Sequence, residues 1–381
     1  MGSGVAKKGG SEPKTSMSHF VPRRAAEFFA GIGLVRKGLE DAGLSVVYAN
    51  DIEPFKLAMY EKNFSATEFF LGDISDVTGD SIPDIEVMTA SFPCTDVSLA
   101  GNMKGLAGAQ SGLFWQVARL LEEMGERKPA VLMLENVPAL ATSHGGRDLA
   151  SVIGEFNRQG YWCDILILDA KRFVPQSRPR IFVLGFQSPP AEKSDFSPSE
   201  LRPKWIEAFV AKHPELKMHA LALPILPEKL EASFADVVEK LSASSPVWWD
   251  DERMERFVDS MSPVQRRRLD TLISGKGKSW ATAYRRTRDG QPTWEMRADG
   301  IAGCLRTTRG GSSKQAVVEA GNGKVRVRWM TAREYARLQG APDYVIDGIR
   351  TSQATFGFGD AVCVPAISFI AENFLIPLTE G

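Results

Sequence analysis

The sequence predicts an α/β protein: a doubly wound, mostly parallel sheet with a smaller second domain attached. Three observations predict it. Short apolar runs alternate with helix-length segments through the first half, chemically unusual residues follow those runs, and the pattern breaks near Gln187.

The runs Ala25 to Phe29, Ser45 to Ala49, Glu68 to Leu71, Glu86 to Ala90 and Ala130 to Leu134 read as buried parallel strands. Helical segments separate them: Leu34 to Ala42, closed by Gly43, then Pro54 to Asn63 and Leu113 to Met124. Two more strands, Trp162 to Leu168 and Arg180 to Phe186, flank a loop containing Gln176, Arg178 and Arg180. From Gln187 the segment QSPPAEKSDFSPSE opens a different region, with amphipathic stretches and then a Gly- and Arg-rich part up to Val327. Trp248 to Arg268 reads as a helical insert with a basic end. Pro365 to Leu375 has a helical apolar pattern that returns to the first domain. The expected division is a disordered leader over 1–20, a first domain over 21–187, a second over 188–354 and a returning loop and helix over 355–381.

Composition narrows the function classes. No uninterrupted run of about 18 apolar residues and no secretory leader pattern is found, so a cytoplasmic protein without a membrane span is expected. The four cysteines, Cys94, Cys163, Cys304 and Cys363, lie far apart without CxxC spacing, which points to free thiols and no metal site. The net charge of −1 conceals an asymmetry. Met261 to Gly340 carries 17 Lys and Arg against 6 Asp and Glu, a local net of +11 that leaves the rest at −12. A basic region of that size implies a polyanionic partner.

In an open parallel sheet, ligands sit beyond the carboxyl ends of the strands. After the first strand comes Phe29, Ala30, Gly31, Ile32, Gly33, a turn that lets backbone approach a ligand; Arg36 removes the full GxGxxG spacing. Asp51 follows the second strand, placed to accept both hydroxyls of an adenosine ribose, with Ile52 beside it. Asp73 and Ile74 follow the third, a carboxylate and an apolar wall for an adenine ring. Ser91, Phe92, Pro93, Cys94 follow the fourth, and Glu135, Asn136, Val137, Pro138 the fifth. A thiol and a carboxylate are therefore expected over one edge of one sheet, beside a nucleoside pocket.

These segments resemble, in order, the motifs of the cytosine-C5 DNA methyltransferase family. FFAGIG resembles its cofactor loop, YANDIE the ribose-binding strand end, GDIS the adenine site, SFPC the catalytic Pro-Cys and LENVP the catalytic Glu. QSRPR resembles its arginine pair, TAREYARLQGAP the motif that organises the small domain, and FGFGDAVCVP the loop before the returning helix. Three positions depart from the usual pattern: Leu34 for a second Gly, Asp51 for Glu, and Asp360 for Asn near the methionine end of the cofactor.

The resemblance implies S-adenosylmethionine as cofactor, with Pro93 and Asp360 joining the residues above in its site, and duplex DNA as substrate for a prokaryotic, nucleoid-associated monomer. It also implies a functional partnership with a restriction endonuclease. Carbon 5 of cytosine is too electron-poor to attack a methyl sulfonium, so Cys94 would add at carbon 6 to make an enamine. Glu135 would neutralise charge at ring nitrogen 3. Arg178 would hold the cytosine carbonyl or orient Glu135, with Arg180 as its neighbour. Such chemistry requires the base to be flipped from the duplex. Thr95 to Gln110 would form a lid with Ser98 as a DNA contact. Arg306, Arg309, Gly310, Gly311, Ser312 and Lys314 would form a base-reading loop. An RNA cytosine methyltransferase and a DNA-binding regulator without catalysis are the alternatives.

Overall fold

The computed structural model describes residues 23–92, 111–307 and 313–380. The first half alternates as expected. Strand β1 (Arg24–Phe28) leads into helix α1 (Leu34–Asp41), β2 (Ser45–Asp51), α2 (Pro54–Tyr60), β3 (Phe69–Leu71) and β4 (Val87–Ala90). Helix α3 (Phe114–Met124), β5 (Val131–Asn136), α4 (Arg147–Arg158), β6 (Trp162–Asp169) and β7 (Pro179–Phe186) follow. The seven strands form one sheet in the order β3-β2-β1-β4-β5-β7-β6. All neighbouring pairs from β3 through β5 are parallel, while β7 runs antiparallel to both β5 and β6. The winding direction reverses between β1 and β4, and a crevice opens beyond the carboxyl ends of strands at such a switch point.

The predicted strand positions differ from the observed ones at their ends, where pairing carries the strand further than the apolar run. Asp51 pairs with Leu71, and Glu135 and Asn136 pair with Phe182 and Ile181. Both carboxylates are therefore held by strand backbone and not by a loop. The helix expected over Pro54 to Asn63 ends at Tyr60, where Asn63 turns back to donate to the Met59 carbonyl at 2.9 Å.

The chain does not leave the sheet at Gln187. Met218 bridges Cys163 in parallel, and Ile206 and Phe209 of α5 (Lys204–Lys212) join the apolar cluster under the sheet. Arg202, 1 % exposed, pairs with Asp164 on β6, whose carboxylate also accepts the Leu221 N–H at 3.0 Å. Beyond lie α6 (Phe234–Val237), α7 (Asp251–Asp259) and α8 (Pro263–Ser274). The helical insert expected over Trp248 to Arg268 is thus two helices, because Ser262 caps a fresh start at Pro263.

A four-stranded antiparallel sheet follows, in the order β11-β10-β8-β9, from β8 (Ser279–Arg288), β9 (Gln291–Met296), β10 (Gln315–Gly321) and β11 (Lys324–Trp329). Nothing in the Gly- and Arg-rich composition of this region announced it. Its inward positions are small or aromatic, such as Ala281, Ala283, Ala316 and Trp294, and they pack on Phe257 and Leu269 of α7 and α8.

Helix α9 (Ala332–Leu338) begins at a Thr331/Glu334 capping box and leads to α10 (Thr351–Asp360), α11 (Val364–Ile370), a π turn over Ala371–Leu375 and α12 (Ile376–Leu378). The stretch Thr351–Leu378 is apolar and long enough to cross a membrane by composition. In the fold it is broken between Asp360 and Val364, and α11 packs so closely on α1 that a Cβ at Gly38 would lie 2.6 Å from Ile367 Cβ. It is a core element that closes the first sheet.

Candidate active site

At the carboxyl end of β1 the chain makes a tight turn through Phe29 (φ 59), Gly31 (φ 59) and Gly33 (φ 80). A Cβ at Gly33 would lie 2.6 Å from the Phe64 ring, so that glycine is required sterically as well as conformationally. A Cβ at Gly31 would meet nothing nearer than 4.0 Å, so the turn is open on that side. Ile32 points inward and is buried, and its carbonyl accepts the Tyr344 hydroxyl at 2.7 Å. Leu34, the departure from the family pattern, is a buried first residue of α1. Arg36 is buried too and bonds Glu40, the Tyr60 hydroxyl and the Ser65 carbonyl, which makes it a brace and not a ligand contact.

Asp51 holds this turn. Its Oδ2 accepts the Gly31 N–H at 2.8 Å and Lys56 Nζ at 3.3 Å, and its Oδ1 accepts the Glu53 N–H at 3.0 Å. A carboxylate offers about four acceptor directions, so about one remains. The expectation that Asp51 takes both ribose hydroxyls is corrected to that extent. Asn50 donates to the Phe70 and Gly72 carbonyls and thereby fixes the β3 end. Asp73 next to it accepts the Ser75 N–H at 2.8 Å, which holds its carboxyl below the usual range. Ile74 is 4 % exposed and sits in the core, so its side chain is no open wall. Ile52 is 58 % exposed and, with exposed Phe70 and Leu71 of β3, leaves apolar surface at these strand ends.

At the carboxyl ends of β4 and β5, buried Asn136 donates to the Phe92 carbonyl at 3.2 Å and accepts the Val137 N–H. That bond fixes the residue before Pro93. Pro93, Cys94, Ser98 and the expected lid over Thr95 to Gln110 lie outside the described residues, as do Arg309, Gly310, Gly311 and Ser312.

Glu135 is 6 % exposed, and its Oε1 lies 2.8 Å from Arg180 Nε on the adjacent antiparallel strand. Arg180, and not Arg178, is therefore the cation that meets Glu135. Arg178, fully buried, instead spans two distant segments: it donates to the Leu305 carbonyl at 2.7 Å, to Cys304 Sγ at 3.4 Å and to the Ala361 carbonyl. The reason is positional: Arg180 lies on β7 beside β5, whereas Arg178 precedes that strand and reaches the Leu305 segment and the α10–α11 junction. Burial lowers the Arg178 pKa below its ordinary value.

Cys304 thus joins this edge of the sheet, although nothing in its sequence context marked it. Burial opposes its ionisation, yet Arg178, Arg180 and Arg306 outweigh that and hold the thiol below its ordinary value. Gln176 was visible in the QSRPR segment but not its job. It donates to the Leu338 carbonyl at 2.7 Å and accepts the Leu305 N–H at 3.0 Å. Gln339 completes the junction by donating to the Phe358 carbonyl at 2.6 Å.

Arg306 is exposed beside this junction, and a Cβ at Gly359 would lie 2.2 Å from its carbonyl, so α10 packs against its backbone. Lys314 is half-buried at the other end of the same loop, whose base is closed by reciprocal bonds between Gln315 and Gly303. Asp270, Glu295, Asp299, Glu319 and Glu334 all pair with nearby cations, which leaves the basic excess of this region in Arg306, Lys314 and others.

The profile of the family described as C-5 cytosine-specific DNA methylase matches residues 24–375. The type II methyltransferase M.NlaX of Neisseria lactamica is 29 % identical over 361 residues, 93 % of this chain and 96 % of the relative. M.HhaI of Haemophilus parahaemolyticus is 28 % identical over 351 residues, 92 % of this chain and 93 % of the relative. The solved Entamoeba histolytica methyltransferase EhMeth superposes with a TM-score of 0.61 at 15 % identity, over 94 % of this chain and 99 % of that one, a likeness of fold. The chain belongs to the C-5 cytosine-specific DNA methylases, enzymes that methylate carbon 5 of cytosine in DNA.

Proposed function

We propose that the protein transfers the methyl group of S-adenosylmethionine to carbon 5 of a cytosine flipped out of a specific duplex sequence, with Cys94 as the transient nucleophile. The observation that carries this reading is the convergence of the Glu135–Arg180 pair, the Asn136 tether at Phe92 and the Gly31–Asp51 turn on one edge of one sheet. Those residues fit the donor. The open side of Gly31, the remaining acceptor direction of Asp51 and the exposed Ile52 together suit a nucleoside that needs no pyrophosphate cradle.

When bound, the donor supplies an electrophilic methyl group. The chain's own groups do the rest. Cys94 adds to carbon 6 of the base, and Glu135, oriented by Arg180, holds a proton against ring nitrogen 3 as charge develops there. Carbon 5 takes the methyl group, a base removes the carbon 5 proton, and Cys94 leaves. Arg306, Lys314 and the loop between them contact the duplex, and a cytoplasmic enzyme acting beside a restriction endonuclease is the corresponding setting.

Bisulfite sequencing of DNA from cells expressing the protein tests activity, substrate and sequence context together. New 5-methylcytosine in one context is expected, with a covalent adduct on 5-fluorocytosine DNA. C94A should give neither; turnover retained by C94A would overturn the mechanism.

A further inference from the structure

Cys304 Sγ sits between the arginines at the start of β7. Arg178 Nη1 donates to it at 3.4 Å, Arg180 donates to it as well, and the sulfur lies 3.4 Å from the Leu305 carbonyl oxygen. Arg180 in turn meets Glu135 Oε1 at 2.8 Å. A continuous chain of contacts thus runs from Arg178 through Cys304 and Arg180 to the acid at the end of β5.

The backbone around the sulfur is pinned on both sides. The Ala302 N–H donates to the Pro175 carbonyl at 2.7 Å, and the Ala302 carbonyl accepts the Ser177 N–H at 3.0 Å. Gly303 exchanges reciprocal bonds with Gln315, and the Leu305 N–H donates to Gln176 at 3.0 Å. Cys304 is therefore a fixed point against which a guanidinium can rest.

Electrostatics gives that fixed point a task. Burial and the neighbouring Arg180 charge both oppose the charge of Arg178. The other acceptors of its guanidinium are the Leu305 carbonyl at 2.7 Å, the Gly359 carbonyl at 3.4 Å and the Ala361 carbonyl. Among the described residues no carboxylate pairs with Arg178, while Glu135 pairs with Arg180. A polarisable sulfur shared by both guanidiniums lessens their repulsion and spares Glu135 for one of them. Burial opposes ionisation of this thiol, and the two arginines favour it.

We propose that Cys304 is a positioning residue for methyl transfer: its sulfur engages Arg178 and Arg180 together and so keeps Arg180 against Glu135. Cys304 belongs to the segment that leads into Arg306, at the base of the loop closed by Gly303 and Gln315. The placement of the acid thus depends on the segment that carries the duplex-contacting loop. This role rests on the reaction assigned under Proposed function.

Single-turnover methylation by the full chain tests it, on a duplex of the context that bisulfite sequencing reveals, with Kd for the same duplex and for S-adenosylhomocysteine. C304A should lower the rate by about tenfold, as loss of a hydrogen bond to a charged group does, and leave both Kd values within about twofold. C304S, whose hydroxyl accepts from both guanidiniums, should recover the rate to within about threefold of wild type. R180M/C304A should be no slower than R180M alone, to within about twofold, because Cys304 acts through Arg180. Thermal melting reports folding, and C304V, which keeps the volume without the acceptor, replaces C304A if the latter is unfolded. A wild-type rate for C304A, a C304S as slow as C304A, or losses that multiply in the double variant would overturn the role while leaving the reaction standing. Wild type that transfers no methyl group to DNA would overturn the reaction and this role with it.

Discussion

Arg180 Nε lies 2.8 Å from Glu135 Oε1, both side chains nearly buried, on antiparallel neighbours β7 and β5. The pair fixes which way the acid at the end of β5 points. E135Q should lower kcat by about 10²–10⁴, the usual contribution of a positioned acid or base. R180M leaves the carboxylate in place without its cation, and should lower kcat with a smaller effect on DNA binding. Single-turnover methylation and gel shift with the same duplex separate the two; an R180M defect confined to DNA affinity would assign Arg180 to the phosphate backbone instead.

Cys304 should be the reactive thiol among the described cysteines. Burial pushes Cys363 up to about 12 and Cys163 higher still, whereas the arginines around half-buried Cys304 hold it below its ordinary value. In a C94A background, iodoacetamide should label Cys304 in the native protein with a pH midpoint below that of a free thiol, read by peptide mass spectrometry. The charged groups facing it are Arg178 just before β7, Arg180 on β7 and Arg306 from its own segment. Labelling that starts only above pH 9 would refute this.

Glu27 is buried on β1, accepts the Arg36 N–H at 3.2 Å, and has its carboxyl held well above the ordinary value of 4.5 by burial. The sign follows from linkage: above pH 4.5 the unfolded chain loses this proton while the folded chain retains it, so stability falls as pH rises through the folded pKa. E27Q removes that titration. Urea midpoints at pH 5 and pH 8 should show wild type losing on the order of 1 kcal/mol or more relative to E27Q. Parallel profiles would mean that Glu27 is ionised in the fold.

Asp164 and Arg202, at 0 % and 1 % side-chain exposure, tie the segment after β7 to β6. D164A leaves a buried guanidinium and the Leu221 N–H without their acceptor, and should cost about 3–5 kcal/mol by chemical denaturation. Replacing both with apolar residues of similar volume should recover much of that. A loss under 1 kcal/mol for D164A would indicate that water reaches the pair.

The strands of the large sheet and the turns beyond them could be read in advance because both signals are local. Apolar runs of four to seven residues bury on both faces of a parallel sheet, and glycines such as Gly31 and Gly33 mark backbone of positive φ. The family motifs at those strand ends were legible for the same reason. The antiparallel sheet was not, since alanines fill much of its inward face and arginines crowd the exposed end of β8, too weak an alternation to register.

Local patterns also placed Asp51 and Glu135 on one sheet edge, because both close parallel strands; the antiparallel run of β7, which brings Arg180 to the same edge, is not encoded locally. The partner of each depended on contacts remote in the chain. Lys56 meets Asp360 across 304 residues and Arg178 meets Cys304 across 126. Local spacing does not encode such pairings, which arise when α10 and the segment at Leu305 pack against the strand ends. The chain's own pattern thus set the sheet, its open edge and the chemistry carried there, while packing settled that Arg180 serves Glu135, that Arg178 ties the Leu305 segment to the α10–α11 junction, and that Asp51 faces the crevice with Lys56 beside it.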